Sequence, residues 1–341
     1  MVGMRDVANA AGVSLSTVSL VVNGSGYVSD AMREKVLKTI SDMGYEPRKH
    51  VRSAARCGMV GVIVPTLRHP FFASLISEIA KQLAVIDEIP LILGTNEYAG
   101  ADGICADMLR HRKLDGIIVC SHTSGTAAEL STINAPIVAF DRYLHPSIPV
   151  VNSDHMQGAH LVAELLVGTG VQRVIEMGGP RSQFHDIPID EEGNDTSFPT
   201  THYHRTLEEE LAKNGVRVEY MQVSDVSDMS LFRKVAAAAF EKQEKVDAIV
   251  APDMAAAYSV QQALLRGIEI PKQLQVVAYD GTIVTDMAGM RITAVRQNVG
   301  AIARGLVTTL NQEIERGGKL RDRKVEHKLV PVRLVTGDTT R

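Results

Sequence analysis

The sequence predicts a small all-α head of three helices followed by a larger α/β body built on parallel sheets. Apolar residues recur at helical spacing as far as Gly44, whereas from Val60 onward short Val/Ile runs alternate with helical stretches. A basic segment separates the two regimes. At 341 residues the chain has room for a head and a body of two subdomains, each with its own core.

In the head, Val7, Ala8 and Ala11 mark a first helix, Gly12 supplies a tight turn, and Ser14 can cap a second helix from Leu15. Val18, Val21 and Val22 share one face of that helix. Leu15, Ser16, Ser19 and Leu20 share the opposite one and stay free of the core. A third helix enters at Ser29 or Asp30, carries Val36, Leu37, Ile40 and Met43 on its expected buried stripe, and stops at Gly44. This order is a helix-turn-helix, whose second helix docks in a DNA major groove. Periodicity alone leaves a plain three-helix structural unit equally open.

Charge sharpens the reading. The net charge of −4 hides an asymmetry, because residues 1–56 hold 8 Lys/Arg against 5 Asp/Glu and the remainder holds 28 against 35. The head can meet phosphate and the body would repel it. Arg48, Lys49, Arg52 and Arg56, with His50, lie between Pro47 and the first apolar strand, as a solvated linker or a phosphate-binding hinge. Head 1–46, linker 47–58 and body 59–341 are the expected divisions.

The body's expected strands are 59–65, 90–94, 115–121, 136–140, 173–178, 216–223, 246–252 and 274–280. Their continuous Val/Ile character indicates parallel sheets covered on both faces, and ligands of such sheets bind at the carboxyl ends of the strands. Enzyme signatures are missing: no G-x-G-x-x-G follows a strand, and G-x-x-x-x-G-K-[ST], G-x-S-x-G and H-E-x-x-H do not occur. His185, His202 and His204 fall in one polar region, where solvated histidines are the plainer reading than a metal site, so neither metal nor cofactor is expected. Cys57, Cys105 and Cys120 fit no zinc spacing and suit a reduced compartment. With no leader and no apolar run of about 18 residues, a cytoplasmic protein without membrane contact is expected.

The wording of the head adds a resemblance. Arg5-Asp6-Val7-Ala8, Ala11-Gly12-Val13-Ser14, Thr17-Val18-Ser19, Asn23-Gly24, Val28-Ser29 and Gly44-Tyr45-x-Pro47 resemble, in order and spacing, the head of the lactose-repressor (LacI/GalR) family. The likeness continues through nearly the whole chain. It implies a homodimeric transcriptional regulator that binds an inverted-repeat operator in double-stranded DNA. Its body would be periplasmic-binding-protein-like, with two doubly wound parallel-sheet subdomains clasping a small-molecule effector, a sugar by preference. The alternative is a sugar-binding or sugar-modifying enzyme body with an accessory DNA head. The ending LVTGDTTR carries no heptads, so a dimer is expected rather than a tetramer.

For DNA the resemblance implies Arg5, Ser14, Leu15, Ser16, Thr17, Ser19, Leu20 and Asn23, with Arg48, Arg52 and Ala54 in the hinge. Two of these depart from the family pattern. Ala54 stands nearest the place of a leucine that wedges into the minor groove, and a methyl group is a poor wedge. Leu20 stands where arginine is usual, which removes a guanine contact worth roughly 1–3 kcal/mol of discrimination. For the effector it implies Phe71, Phe72, Asp141, Arg142, Asp154, Arg205, Asp253, Asp280 and Gln297. Gln297 is followed by Asn298 where the family continues with proline. The stretch 180–206 is longer and more acidic than the family's short loop, and is expected to border the cleft as a lid, a specificity wall or a disordered insertion.

Overall fold

The computed structural model describes residues 3–23, 28–44, 56–120, 130, 133, 135–189, 195–225, 228–317 and 327–341. Two compact units divide the chain, Met1–Arg56 and Cys57–Arg341.

The head consists of α1 (Met4–Ala11), α2 (Leu15–Asn23) and α3 (Asp30–Asp42). Asp6 accepts the Gly3 N–H at 2.8 Å and so serves an unpaired donor of the first turn. The helix stops at Gly12, whose φ of +60° suits a residue without a Cβ. Ser14 Oγ then accepts the Thr17 N–H at 3.1 Å, the cap its position suggested. Val7, Ala8, Ala11, Val18, Val21, Val36 and Ile40 form the core. Leu37 corrects the expected stripe: it is 50% exposed, because Val36 and Ile40, four residues apart, already take the inward face of α3.

In the body the chain first lays down β1 (Met59–Val64), α4 (Pro70–Val85), β2 (Ile89–Gly94), α5 (Ala101–Arg110), β3 (Gly116–Val119), β4 (Ile137–Phe140) and β5 (Val150–Ser153). It then builds α6 (His155–Gly168), β6 (Arg173–Gly178), α7 (Thr201–Lys213), β7 (Arg217–Gln222), α8 (Met229–Ala239), β8 (Ala248–Pro252), α9 (Asp253–Leu265), β9 (Gln275–Asp280) and β10 (Thr293–Arg296). Helix α10 (Val299–Glu315) and the short β11 (Lys328–Val330) and β12 (Arg333–Val335) complete it.

Among the described residues the strands form two six-stranded sheets, ordered β11-β5-β4-β3-β1-β2 and β12-β10-β9-β8-β6-β7. All pairs are parallel except β10 with β12. Apolar layers cover both faces of each sheet: α4 and α10 pack on one face of the first sheet, and α5 on the other. In the second sheet α8 and α9 oppose α6 and α7. These are the two doubly wound subdomains expected.

The chain passes between the sheets after β5, after β10 and again between β11 and β12. All the strand runs expected from Val/Ile content occur, whereas the short β5, β10, β11 and β12 were not among them. Among the described residues no helix is long and apolar enough to cross a membrane.

Candidate functional site

On the head, α2 presents Leu15, 43% exposed, beside exposed Ser16, with Thr17, Ser19 and Leu20 half-buried. Arg5 on α1 is exposed. The hydroxyl of Ser14 bonds Ser16 Oγ at 2.7 Å and Thr17 Oγ1 at 2.8 Å besides capping the helix, so it organises the face more than it extends from it. The Asn23 side chain and Arg48, Arg52 and Ala54 lie outside the described residues.

In the body, the carboxyl ends of both sheets face one cavity of about 190 Å³. Rings dominate its walls. Phe71 and Phe72, at the start of α4, meet edge to face at 5.4 Å, and Phe71 stacks on Phe140 at 5.7 Å. His69 touches both Phe72 and Phe232. The second subdomain contributes Phe184, Phe198, Tyr203, His204 and Tyr279, with the Tyr203 and Tyr279 rings 4.2 Å apart.

The polar groups are few and strongly held. Asp141, directly after β4, and Asp280, the last residue of β9, have φ of 47° and 112°, a left-handed region costly for a residue with a side chain. Each sheet thus aims one aspartate at the cavity. Asp141 Oδ1 accepts from His155 Nε2 at 3.0 Å. Ser153 donates to Gln297 Oε1 at 2.5 Å, and Gln297 Nε2 donates to Asp280 Oδ1 at 2.6 Å. Burial, with Asp253 and Asp141 nearby, pushes the Asp280 carboxyl well above the usual carboxylate range. Burial also lowers His69 to about 4, leaving a neutral imidazole, and draws Arg142 down to about 10, still charged.

Among the described residues, His69 Nδ1, Arg142 Nε and the Tyr203 hydroxyl are buried without a hydrogen-bond partner. All three residues line the cavity. Buried polar atoms ordinarily find partners, so these can meet polar groups of a molecule in the cavity.

The stretch after β6 also reaches the opposite subdomain. The Tyr143 N–H donates to Ser197 O at 3.1 Å, and the Arg142 guanidinium lies 3.8 Å from the centre of the Phe198 ring. Asp186 accepts from the Ser197 N–H and hydroxyl at 2.7 and 2.5 Å, which fixes this part of the stretch.

Residues 57–321 match the periplasmic binding proteins and sugar binding domain of the LacI family, and residues 3–48 match the bacterial regulatory proteins of the lacI family. The chain belongs to the LacI family. It is therefore a DNA-binding transcriptional regulator and not an enzyme. It is 30% identical over 343 residues to the sucrose operon repressor of Streptococcus mutans, covering 98% of each chain. It is 29% identical to the ribose operon repressor of Halalkalibacterium halodurans, covering 100% of this chain and 98% of that one. The lac repressor dimer bound to operator and an anti-inducer shares its fold, with a TM-score of 0.74, 20% identity and 99% of each chain covered.

Within this LacI-family body, Phe71, Phe72, Asp141, Arg142, Asp280 and Gln297 line one cavity. Asp154, Arg205 and Asp253 are not among its lining residues. Asp154 caps α6 by accepting the Gln157 N–H at 2.9 Å. Arg205 points along α7 to Asp195 at 2.7 Å. Asp253 turns its carboxylate back to the Gly281 N–H at 3.1 Å and to the Thr282 N–H and hydroxyl at 2.6 Å each.

Sequence reasoning passed over His69, Phe184, Phe198, His204 and Tyr279 as cavity residues. The His-Pro-Phe-Phe run could have included His69, since Pro70 starts α4 and places the preceding residue at its cap. His204 is not a solvated loop histidine: it sits on α7 and donates from Nδ1 to the fully buried Glu176 at 2.7 Å. Among the described residues no three ligands gather for a metal.

Proposed function

We propose that this LacI-family regulator is a homodimeric repressor of carbohydrate-utilisation genes whose hold on an inverted-repeat operator is set by a sugar in the inter-sheet cavity. The cavity carries the reading. Aromatic faces pack against the C–H face of a pyranose or furanose ring, while Asp141, Gln297, Tyr203 and Arg142 offer hydrogen bonds to its hydroxyl rim. Relatives named as sucrose and ribose operon repressors support a saccharide.

A second copy of the chain is supported by an apolar face on the second subdomain. Leu264, Leu265, Ile283 and Met287 are 54 to 75% exposed there, beside Tyr258 and Ala288. Two heads supply the roughly 4–10 kcal/mol that separates specific from non-specific DNA binding. Leu15, Ser16 and Leu20 would read bases, with Arg5, Thr17, Ser19 and Asn23 around them. The stretch 47–58 would act as a hinge between a head of 1–46 and a body of 59–341, with Arg48 and Arg52 on phosphate and Ala54 in place of a wedge.

Effector binding would change the angle between subdomains. A coupling of about 1–3 kcal/mol alters operator affinity some 5- to 150-fold. The test is a thermal-shift screen of purified protein against mono- and disaccharides, sugar phosphates and purines, since a ligand of the folded state raises the midpoint by mass action. A saccharide that shifts the midpoint and changes binding to an operator selected from random duplexes supports the reading. A purine hit, or no saccharide hit, removes it.

A further inference from the structure

We infer that His155, which is not itself among the cavity's lining residues, is a positioning residue that holds the Asp141 carboxylate and the Tyr279 hydroxyl in fixed orientations from the two sides of the effector cavity. The inference rests on the cavity being the effector site.

The geometry is specific. His155 is the first residue of α6, immediately after the chain leaves the first sheet, and is 4% exposed. Its Nε2 lies 3.0 Å from Asp141 Oδ1, at the end of β4 in the first subdomain. Its Nδ1 lies 2.5 Å from the Tyr279 hydroxyl, at the end of β9 in the second. Asp141 is itself 7% exposed and held at positive φ. One buried ring thus ties together two cavity groups carried by different sheets.

Three neighbours keep the ring in place. Asp154 caps the helix whose first residue is His155. Gly158, one turn further, lets α6 approach the Tyr279 ring: a Cβ there would lie 3.2 Å from that ring and 3.1 Å from Val295. The His155 and Tyr279 rings lie 5.9 Å apart at 31°.

The chemistry selects one tautomer. A carboxylate only accepts, so Nε2 carries the hydrogen that faces Asp141. In the proposed tautomer Nδ1 carries no hydrogen and accepts the Tyr279 O–H. Burial, with Asp141, Tyr203 and Asp280 nearby, holds the Tyr279 phenol well above its ordinary value, so its proton is there to give. With that proton committed to His155, Tyr279 offers the cavity only a lone pair, and Asp141 offers only acceptors. An effector must therefore bring hydroxyl donors to these two groups, while its acceptors meet the Tyr203 O–H and the Arg142 Nε–H. A deoxy or O-methyl analogue lacking those donors should be rejected.

The experiment combines two readouts on the full chain. The first is nitrogen-detected NMR of protein with labelled histidines, the His155 signals being assigned among the eleven histidines by their loss in His155→Gln. The expected result is a ring protonated on Nε2, with an Nδ1 resonance that moves when Tyr279→Phe removes its donor. A ring protonated on Nδ1 or on both nitrogens, or an Nδ1 signal indifferent to Tyr279→Phe, overturns the assignment.

The second readout is calorimetric titration with sucrose, D-ribose and D-glucose. The sugar that binds the wild type should lose about tenfold or more with His155→Phe, from two weakened hydrogen bonds. His155→Gln, which can donate to Asp141 and accept from Tyr279, should restore most of that loss. Equal affinity in wild type and His155→Phe overturns the inference, as does loss in both variants alike. If none of the three sugars binds the wild type, the sugar reading fails, and the NMR result alone decides the role of His155.

Discussion

Asp253→Ala should destabilise the body rather than silence its response to effector. Asp253 is 2% exposed and accepts three hydrogen bonds across the gap between β8 and β9. Alanine leaves the Gly281 and Thr282 amides without this acceptor, and a buried donor stripped of its partner costs about 1–3 kcal/mol. The sum is reduced because Thr282 is only half-buried, and because burial pushes the Asp253 carboxyl up to about 6, so its ionised form is already held at some cost. A net loss of about 2–4 kcal/mol follows, which for a body of this size lowers the melting midpoint by on the order of 3 to 7 °C. The raised carboxyl also gives a sign with pH. The folded chain keeps a proton that the unfolded chain releases near 3.8, so this contribution is full below about 4 and is lost as pH rises through about 6. Differential scanning calorimetry across that window should show the slope in the wild type and its loss in Asp253→Ala. An unchanged midpoint together with an abolished effector response would make Asp253 a ligand contact and refute this account.

Other substitutions separate the remaining roles. Asp280→Asn keeps a side-chain oxygen to accept from Gln297 Nε2 and should keep the effector response, whereas Asp280→Ala, which frees Gln297 Nε2, should abolish it; thermal shift with the bound sugar distinguishes them. Phe198→Ala removes the face under Arg142, a contact worth up to about 2 kcal/mol when desolvated, and should speed effector release measured by stopped flow. Leu20→Arg should change which duplexes are selected from a random pool; an equal effect on selected and scrambled duplexes would place Leu20 off the bases. Gly12→Val forces a β-branched residue to positive φ, costing roughly 1–2 kcal/mol, and should speed amide exchange throughout α1 to α3.

Much of the fold was legible because the features that encode it are local. Continuous runs such as Val60 to Val64 and Val276 to Ala278 can be covered only by helices on both sides, and the Gly12 turn with its Ser14 cap follows from single-residue chemistry. The three-residue β11 and β12 carry no such pattern, and their pairing depends on partners far along the chain. For the cavity, the His-Pro-Phe-Phe run and the strand-end aspartates point to the carboxyl ends of the strands, but position there does not decide which way a carboxylate turns. Asp253 and Asp280 both stand at strand ends; backbone amides draw the first inward while Gln297 holds the second beside the cavity. Phe184 and Phe198 were hidden because the stretch containing them departs from the family pattern, and no periodicity marks a wall built from a turn.

The three passages between sheets bear on how such regulators can be recombined. The head joins the body at a single point in the sequence, so one exchange of coding segments transfers a whole DNA preference to a different sensor. Neither half of the sensor is contiguous: residues of the first sheet both precede and follow those of the second. Replacing one half alone would need simultaneous junctions near Asp154, near Gln297 and between Val330 and Arg333. Variation in operator recognition can therefore spread by recombination, while variation in effector recognition must accumulate by point changes and insertions in place, as the long stretch after β6 illustrates.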